Sequence, residues 1–217
     1  MQKQEDEIEI EAKFYQPHLS EIRERLLGMG AILISERTFE INWRFDSSTH
    51  ALTSAGKVLR LREDNRIRLT YKSAIISPET RKEIEIEVDN SQRVIGLLGA
   101  LGYQVVATYE KYRETFSWKS TEIVLDELPF GFFLEVEGPS IEKIRKTVED
   151  LGIDWNMRIS LSYLEIFERL KRKLQLSFAD ASFENFAEIE HIHADDLDLQ
   201  VSPELHHPRS EFDERSD

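Results

Sequence analysis

Acidic side chains recur at every second position in several parts of the sequence. These acidic positions are Glu9 and Glu11, Glu83, Glu85 and Glu87, Asp126, and Glu135 and Glu137. Carboxylate oxygens are the ligands that hard divalent cations such as Mg²⁺ and Mn²⁺ prefer. If the chain brings these side chains together, it has the chemistry to bind Mg²⁺ or Mn²⁺.

Basic side chains follow the same spacing in other segments. These basic positions are Arg60 and Arg62, Arg68 and Lys72, and Lys111 and Arg113. Lysine and arginine bind anions, and the planar guanidinium suits bidentate contacts with phosphate. Together they fit a polyanion such as a chain of phosphates.

Period-two alternation places successive side chains on opposite faces of a β-strand. A single charged face is well explained by exposure to water. About seven strands in succession repeat the pattern here, and each charged face carries mainly one sign. If the sheet closes into a barrel, its apolar faces can pack against the helices while its charged faces line the interior. Buried charges need partners or a ligand, so such an interior fits a metal–polyphosphate complex.

Helical patterns lie between the predicted strands, and most end near a glycine. The predicted helices are Ser20–Leu27, Ser91–Leu98, Ser140–Leu151 and Ser162–Leu174. Asp64-Asn65 is typical of a hairpin turn between two strands. Strands joined by hairpins and interleaved with helices predict an α+β fold built on an antiparallel sheet.

Glu9-Ile10-Glu11-Ala12-Lys13 matches the ExExK signature of the CYTH superfamily, the triphosphate tunnel metalloenzymes. Further segments resemble the family in the same order: Leu59–Arg62, Leu69–Lys72, Arg81–Glu85, Lys111–Arg113, Leu125-Asp126, Phe133–Glu137 and Ser162–Leu164. The resemblance covers roughly residues 5 to 172. It implies a closed eight-stranded antiparallel β-barrel, forming a tunnel with helices packed outside, a small-molecule triphosphate substrate and a divalent metal.

The resemblance also implies roles for individual residues. The residues that resemble the family's triphosphate clamp, and therefore its catalytic cations, are Lys13, Arg60, Arg62, Lys72, Lys111 and Arg113. Arg158 resembles a further contact with the triphosphate. Those resembling metal ligands are Glu9, Glu11, Asp126, Glu135 and Glu137, with Glu83 and Glu85 as further members. The segment Glu40–Asp46 departs from the family, because many relatives have an aspartate and a tyrosine before the Phe-Asp pair.

Three activities are compatible with these features. The expected one is metal-dependent hydrolysis of tripolyphosphate, thiamine triphosphate or a nucleoside triphosphate, releasing phosphate. The alternatives are a class IV adenylate cyclase, which makes cyclic AMP from ATP, and a non-catalytic polyphosphate- or nucleotide-binding module. Hydrolysis is favoured because it needs only the triphosphate site, whereas cyclisation also needs a base pocket that the sequence does not reveal.

Composition limits the partners and the compartment. The chain has no cysteine, which excludes disulfides and thiolate chemistry. No apolar segment resembles a signal peptide or a membrane span, so a cytoplasmic protein without a membrane partner is expected. Of the net charge of −14, residues 177–217 carry most, with 12 acidic and 2 basic residues. This acidity disfavours nucleic-acid binding.

The charge distribution also suggests the domain organisation. We predict a triphosphate tunnel domain over residues 1–174, active as a monomer or homodimer. Residues 175–217 are predicted to be an acidic, mostly disordered tail, since they have few regularly spaced apolar residues. The one local exception is a short helix near Phe183–Ile189.

Overall fold

Eight antiparallel strands close into a barrel in the computed structural model, which describes residues 7–74, 76–77, 80–189 and 192–200. The strands are β1 (Glu7–Tyr15), β2 (Ile32–Ser47), β3 (Val58–Glu63), β4 (Ile67–Lys72), β5 (Thr80–Val88), β6 (Tyr103–Trp118), β7 (Thr121–Leu128) and β8 (Gly131–Glu137). Around the barrel their order is β1-β5-β4-β3-β2-β6-β7-β8, and every neighbouring pair is antiparallel. The predicted fold class, α+β with a closed eight-stranded antiparallel barrel, is confirmed.

The helices connect the strands or follow the barrel. They are α1 (Leu19–Gly28), α2 (Ala51–Ser54), α3 (Ser91–Ala100), α4 (Ile141–Asp150), α5 (Tyr163–Leu174) and α6 (Phe183–Phe186), with a 3₁₀ turn at Trp155–Met157. The four predicted helices are confirmed within about two residues as α1, α3, α4 and α5. In the described part of the chain, no helix has both the length and the apolar character needed to span a membrane.

Alternation along the strands separates an apolar outer face from a charged inner face. On the outer face of β1 and β8, Phe14 and Leu134 pack with Ile22 of α1 and Ile144 of α4, and all four are fully buried. Each such side chain contributes about 1.5–3 kcal/mol when removed from water. Because this face is fixed in the core, the opposite side chains of the same strands must point into the barrel.

The chain between β3 and β4 makes the predicted hairpin turn. The backbone N–H of Asp64 donates to the carbonyl of Arg66 at 2.9 Å, and the N–H of Arg66 donates to Oδ1 of Asp64 at 2.8 Å. Aspartate favours this position because its side chain accepts a hydrogen bond from the backbone two residues on. The turn fixes the register in which Arg62 lies opposite Arg68.

Residues 176–189 and 192–200 differ from the prediction of a disordered tail. Phe178 stacks on Phe167 of α5, Phe186 packs against the same ring at a tilt, and Leu197 is fully buried in the same cluster. Ala181 exchanges backbone hydrogen bonds with the edge of β6, where β7 has ended. Composition did not reveal this packing, because a few irregularly spaced aromatic residues are enough to hold the segment when a strand edge provides hydrogen-bond partners for its backbone. The short helix is confirmed as α6, and residues 201–217 lie outside the described chain.

Candidate functional site

The barrel interior encloses a cavity of about 850 Å³, within the usual range for small-molecule sites. All eight strands contribute inner-face side chains to its lining, and residues 159–164 complete it. The predicted site residues that line it are Glu9, Glu11, Lys13, Arg60, Arg62, Lys72, Glu83, Glu85, Lys111, Arg113, Glu135 and Glu137. The structure therefore brings together all but two of the predicted residues, the exceptions being Asp126 and Arg158.

Asp126 lies behind the cavity lining, where it is fully buried. It accepts hydrogen bonds from Lys111 at 3.0 Å, from Arg113 at 2.6 and 2.7 Å, and from the hydroxyl of Tyr163 at 2.8 Å. Both of its oxygens are thus occupied by the chain's own donors. In this arrangement Asp126 positions the two cations of β6, and its role as a metal ligand stays a prediction.

Glu135 connects Lys13 with Arg113 across the cavity wall. Its carboxylate lies 3.1 Å from Lys13 and accepts a hydrogen bond from Arg113 at 2.7 Å. Burial alone would raise the pKa of Glu135, but Lys13 and Arg113 hold it well below its usual range. Glu135 is therefore a charged, paired carboxylate that orients two cations.

Lys72 collects the carboxylates of β1 and β5. Its ammonium donates to both oxygens of Glu9 at 2.5 and 2.6 Å and lies 3.1 Å from Glu83. Burial still raises the pKa of Glu9, although Lys72 lowers it. Glu9 and Glu83 are thus held together by one cation at one side of the cavity.

Glu40 is a charged site residue that the sequence analysis did not identify. It is 1% exposed on the inner face of β2, 3.4 Å from Lys111 and 3.7 Å from Arg62. Burial would raise the pKa of Glu40, but Lys111 and the nearby arginines lower it far below its usual range. The alternation of Thr38, Glu40 and Arg44 was the signal available in the sequence.

Glu11 and Glu137 lie directly opposite each other on β1 and β8. Within the described chain neither carboxylate has an ion-pair partner. Burial and the charge of Glu135 raise the pKa of Glu11, although Lys13 lowers it. Desolvation at the cavity rim, followed by Glu9 and Glu122, raises the pKa of Glu137 to about 7. These carboxylates therefore form an excess of negative charge that a cation would relieve.

Arginines supply the corresponding excess of positive charge on the opposite side. The Nε atoms of Arg44, Arg60, Arg62 and Arg68 are buried and find no hydrogen-bond acceptor among the described residues. A buried donor left without a partner costs about 1–3 kcal/mol. Arg62 reaches only long contacts, 3.4 Å to Glu85 and 3.7 Å to Glu40. Burial and the neighbouring Arg60 lower the pKa of Arg62, so its charge is disfavoured in the barrel interior.

Tyr163 covers one side of the cavity from the first turn of α5. Its hydroxyl donates to Asp126, and Lys13 lies 4.3 Å from its ring centroid. A capping box between Ser162 and Glu165 fixes the start of this helix. The sequence had marked the Ser162–Leu164 segment without giving Tyr163 a role, since its partners come from distant strands.

Arg158 is not among the residues that line the cavity, so its place in the clamp stays a prediction. Its guanidinium lies 5.0 Å from the ring centroid of Trp155 and donates to the carbonyl of the same residue. Arg158 directly follows the 3₁₀ turn at Trp155–Met157. Ile159, the next residue, instead pairs with Lys13 of β1.

Comparison with known proteins identifies the family of this barrel. A family model for the CYTH domain matches residues 7–177. The chain belongs to the CYTH domain family. This CYTH domain is 26% identical over 172 residues to a protein of Methanocaldococcus jannaschii that is provisionally named an adenylate cyclase, covering 73% of this chain and 98% of that protein.

Solved structures share the fold of this CYTH domain. A provisionally named adenylate cyclase from Vibrio parahaemolyticus superposes with a TM-score of 0.68 at 22% identity, over 76% of this chain and 99% of that one. A provisionally named adenylyl cyclase from Hippeastrum, described as having dominant triphosphatase activity, superposes with a TM-score of 0.53 at 18% identity, over 74% and 94% of the two chains. At these identities the likeness extends to the fold alone.

Proposed function

We propose that this CYTH domain hydrolyses a small-molecule triphosphate with the help of Mg²⁺ or Mn²⁺, releasing phosphate. The observation that carries the proposal is the separation of uncompensated charge inside one cavity. Among the described residues Glu11 and Glu137 form no ion pair, although Lys13 and Lys72 lie near enough to lower the pKa of Glu11, and the buried Nε–H groups of Arg60, Arg62 and Arg68 have no acceptor. A metal–triphosphate complex satisfies both sets at once.

The carboxylates fit a divalent ion whose ligands come partly from the protein and partly from the substrate. Within the described residues, no three Asp, Glu or His side chains are arranged to enclose a metal by themselves. Mg²⁺ commonly binds one or two carboxylates together with substrate phosphates, which agrees with this donor set. Glu11 and Glu137 would hold the ion, with Glu9 beside them, and the ion supplies charge neutralisation on the phosphate oxygens when bound.

The cations of the chain bind and orient the phosphates. Phosphoryl transfer depends mainly on positioning and on stabilising charge at the phosphate oxygens. Arg60 and Arg62 donate from β3, and Lys111 and Arg113 from β6, held in place by Asp126. These donors would stabilise the charge that builds on the leaving diphosphate. The attacking water would be oriented by a carboxylate near Glu11.

Cyclisation of ATP is the second candidate function. It is favoured by the name of the Methanocaldococcus jannaschii relative, which this chain matches along 98% of that protein. The triphosphatase activity described for the Hippeastrum protein favours hydrolysis on the same fold. Hydrolysis requires fewer features of the site, since cyclisation also needs a site that brings the ribose hydroxyl to the α-phosphate.

A substrate panel distinguishes the two functions. Purified protein with Mg²⁺ or Mn²⁺ is incubated with tripolyphosphate, thiamine triphosphate or ATP, and both phosphate and cyclic AMP are measured. We expect phosphate release from at least one substrate, abolished by EDTA, and no cyclic AMP. Cyclic AMP as the main product of ATP would replace hydrolysis by cyclisation, and full activity in EDTA would refute the role of the metal.

A further inference from the structure

Residues 180–183, called the strap below, lie along the stretch of β6 that precedes its pairing with β7. β6 pairs with β7 from Tyr112 onward, whereas the strap meets β6 at residues 108–110. The strap follows the part of the chain that the CYTH family model matches, which ends at residue 177. Its contact with the barrel is therefore a feature of this chain outside the matched domain.

Thr108 is bonded to the strap through both of its backbone groups. Its N–H donates to Oδ1 of Asp180 at 2.9 Å, and its carbonyl accepts from the N–H of Ala181 at 3.0 Å. Ala181 is fully buried, so water does not replace its bond to Thr108. The strap thus fixes the backbone of β6 at this position.

Glu110 is bonded to the strap in the same way, two residues further along β6. Its backbone N–H donates to the carbonyl of Ala181 at 3.0 Å, and its carboxylate accepts from the N–H of Phe183 at 2.9 Å. With the bonds of Thr108, four hydrogen bonds hold this edge. They fix the two residues on either side of Tyr109.

Tyr109 points from this fixed stretch of β6 into the cavity. It is 6% exposed, lines the cavity and belongs to the same buried cluster as Ala181. Nη1 of Arg60 donates to its hydroxyl oxygen at 3.5 Å, which is long for such a bond. Because the distance is already long, a small displacement of β6 would break the contact.

Charges in the cavity favour the contact between Tyr109 and Arg60. Burial alone would raise the pKa of Tyr109, but Arg60 and Lys111 lower it below its usual value, while Glu40 opposes them. Burial also disfavours the charge of Arg60, yet Tyr109, followed by Glu40 and Glu83, raises the pKa of Arg60 above its usual value. Tyr109 therefore stabilises the Arg60 cation together with two carboxylates.

We propose that the strap positions Tyr109 against Arg60, and that Tyr109 thereby orients the Arg60 guanidinium toward a phosphate of the substrate. The proposal rests on the proposed function, in which Arg60 binds the triphosphate. The buried Nε of Arg60 has no acceptor among the described residues, so this donor is available to a phosphate oxygen while Nη1 is held by Tyr109. Tyr109 and the strap act only through Arg60.

Titration calorimetry with tripolyphosphate in EDTA tests this positioning on the full chain. Tyr109→Phe keeps the ring, and we expect its dissociation constant to rise about tenfold, the scale of one hydrogen bond to a charged group. Asp180→Ala should give a smaller rise, because it removes one of the four bonds. Asp180→Asn should bind like the wild type, since its amide oxygen accepts the same bond. In an Arg60→Gln background, Tyr109→Phe should weaken binding no further, because the two residues act as one unit.

An ultraviolet titration of Tyr109 gives a second readout, which a merely structural role would not move. The phenolate absorbance of each protein, less that of its Tyr109→Phe counterpart, reports Tyr109 alone. In the wild type and in Asp180→Asn we expect ionisation below the value of about 10 for free tyrosine. In Asp180→Ala and Arg60→Gln we expect ionisation at higher pH, because the cation is farther from the hydroxyl or absent.

Lys173→Ala is the matched control, because Lys173 pairs with Asp198 at 2.7 Å farther along the C-terminal segment. It should change neither affinity nor titration. Wild-type affinity in Tyr109→Phe, additive effects of Tyr109→Phe and Arg60→Gln, or an unchanged Tyr109 titration in Asp180→Ala would overturn the positioning role but leave the triphosphatase proposal intact. So would equal losses of affinity in Lys173→Ala and Asp180→Ala. If the wild type binds no tripolyphosphate, the proposed function and the positioning role both fail. Thermal melts verify that each variant is folded.

Discussion

Replacing Glu11 by glutamine is expected to lower metal-dependent phosphate release by about 100-fold or more. Even residues that only support a metal ligand typically contribute 10–100-fold to metal affinity. The same substitution should leave the melting temperature of the metal-free protein unchanged or raise it. The raised pKa of Glu11 means that its charged form is disfavoured in the folded state, so removing the charge relieves strain. Activity and melting temperature are measured on the same preparation.

Glu24→Gln provides the control for Glu11→Gln. Glu24 is exposed on α1, away from the cavity, and its replacement should change neither activity nor stability by more than about 0.5 kcal/mol. A Glu11→Gln protein with wild-type activity would show that the carboxylate is not a metal ligand. A fall in melting temperature accompanying lost activity would indicate a structural role instead.

Removing residues 176–217 is expected to destabilise the protein severely. The truncation deletes Phe178, Phe186 and Leu197 from the cluster around Phe130 and Phe167, and it exposes the edge of β6. Phe186→Ala alone should lower the free energy of unfolding by about 3–5 kcal/mol, because the buried ring leaves a cavity. Chemical denaturation of the truncated protein, of Phe186→Ala and of the full chain measures both effects.

A shorter truncation serves as the matched control. Ending the chain after Gln200 removes none of the contacts described for the tail, so the midpoint of unfolding should stay close to that of the full chain. Glu188→Ala, at an exposed position next to the cluster, should change stability by no more than about 0.5 kcal/mol. If the chain ending at residue 175 unfolded like the full-length protein, the packing of residues 176–200 would contribute nothing to stability.

Alternation in the sequence predicted the charged strand faces that line the cavity, and the family resemblance predicted the closed eight-stranded barrel. When one face of a strand is apolar and packs in the core, its charged face contacts either water or the barrel interior. The large number of such strands favoured the barrel interior. Pairing inside the barrel was not predictable, because it depends on strand register and tilt. The structure pairs Glu83 with Lys72 and encloses Asp126 among Lys111, Arg113 and Tyr163, and the metal-ligand roles of both carboxylates stay predictions.

Other features were missed because their signal is tertiary. Nothing local shows that Glu40 meets Lys111 from a distant strand, or that the buried Nε of Arg44 has no acceptor among the described residues. The packing of residues 176–200 depends on the free edge of β6, which exists only once β7 has ended. A cytoplasmic location, a monomeric or homodimeric state and the absence of nucleic-acid partners stay predictions from composition.

Thermal melts with and without tripolyphosphate test most directly whether the charged interior is a triphosphate site. The protein is kept in EDTA, and Arg62→Gln, which retains part of the side-chain stem, is compared with the wild type. Binding to the native state adds about 2.7 kcal/mol of stability when the ligand is at 100 times its dissociation constant. We predict a rising melting temperature for the wild type. For Arg62→Gln we predict a smaller rise, from a ligand-free melting temperature equal to or above that of the wild type. No rise in the wild type, or an equal rise in both proteins, would contradict the account.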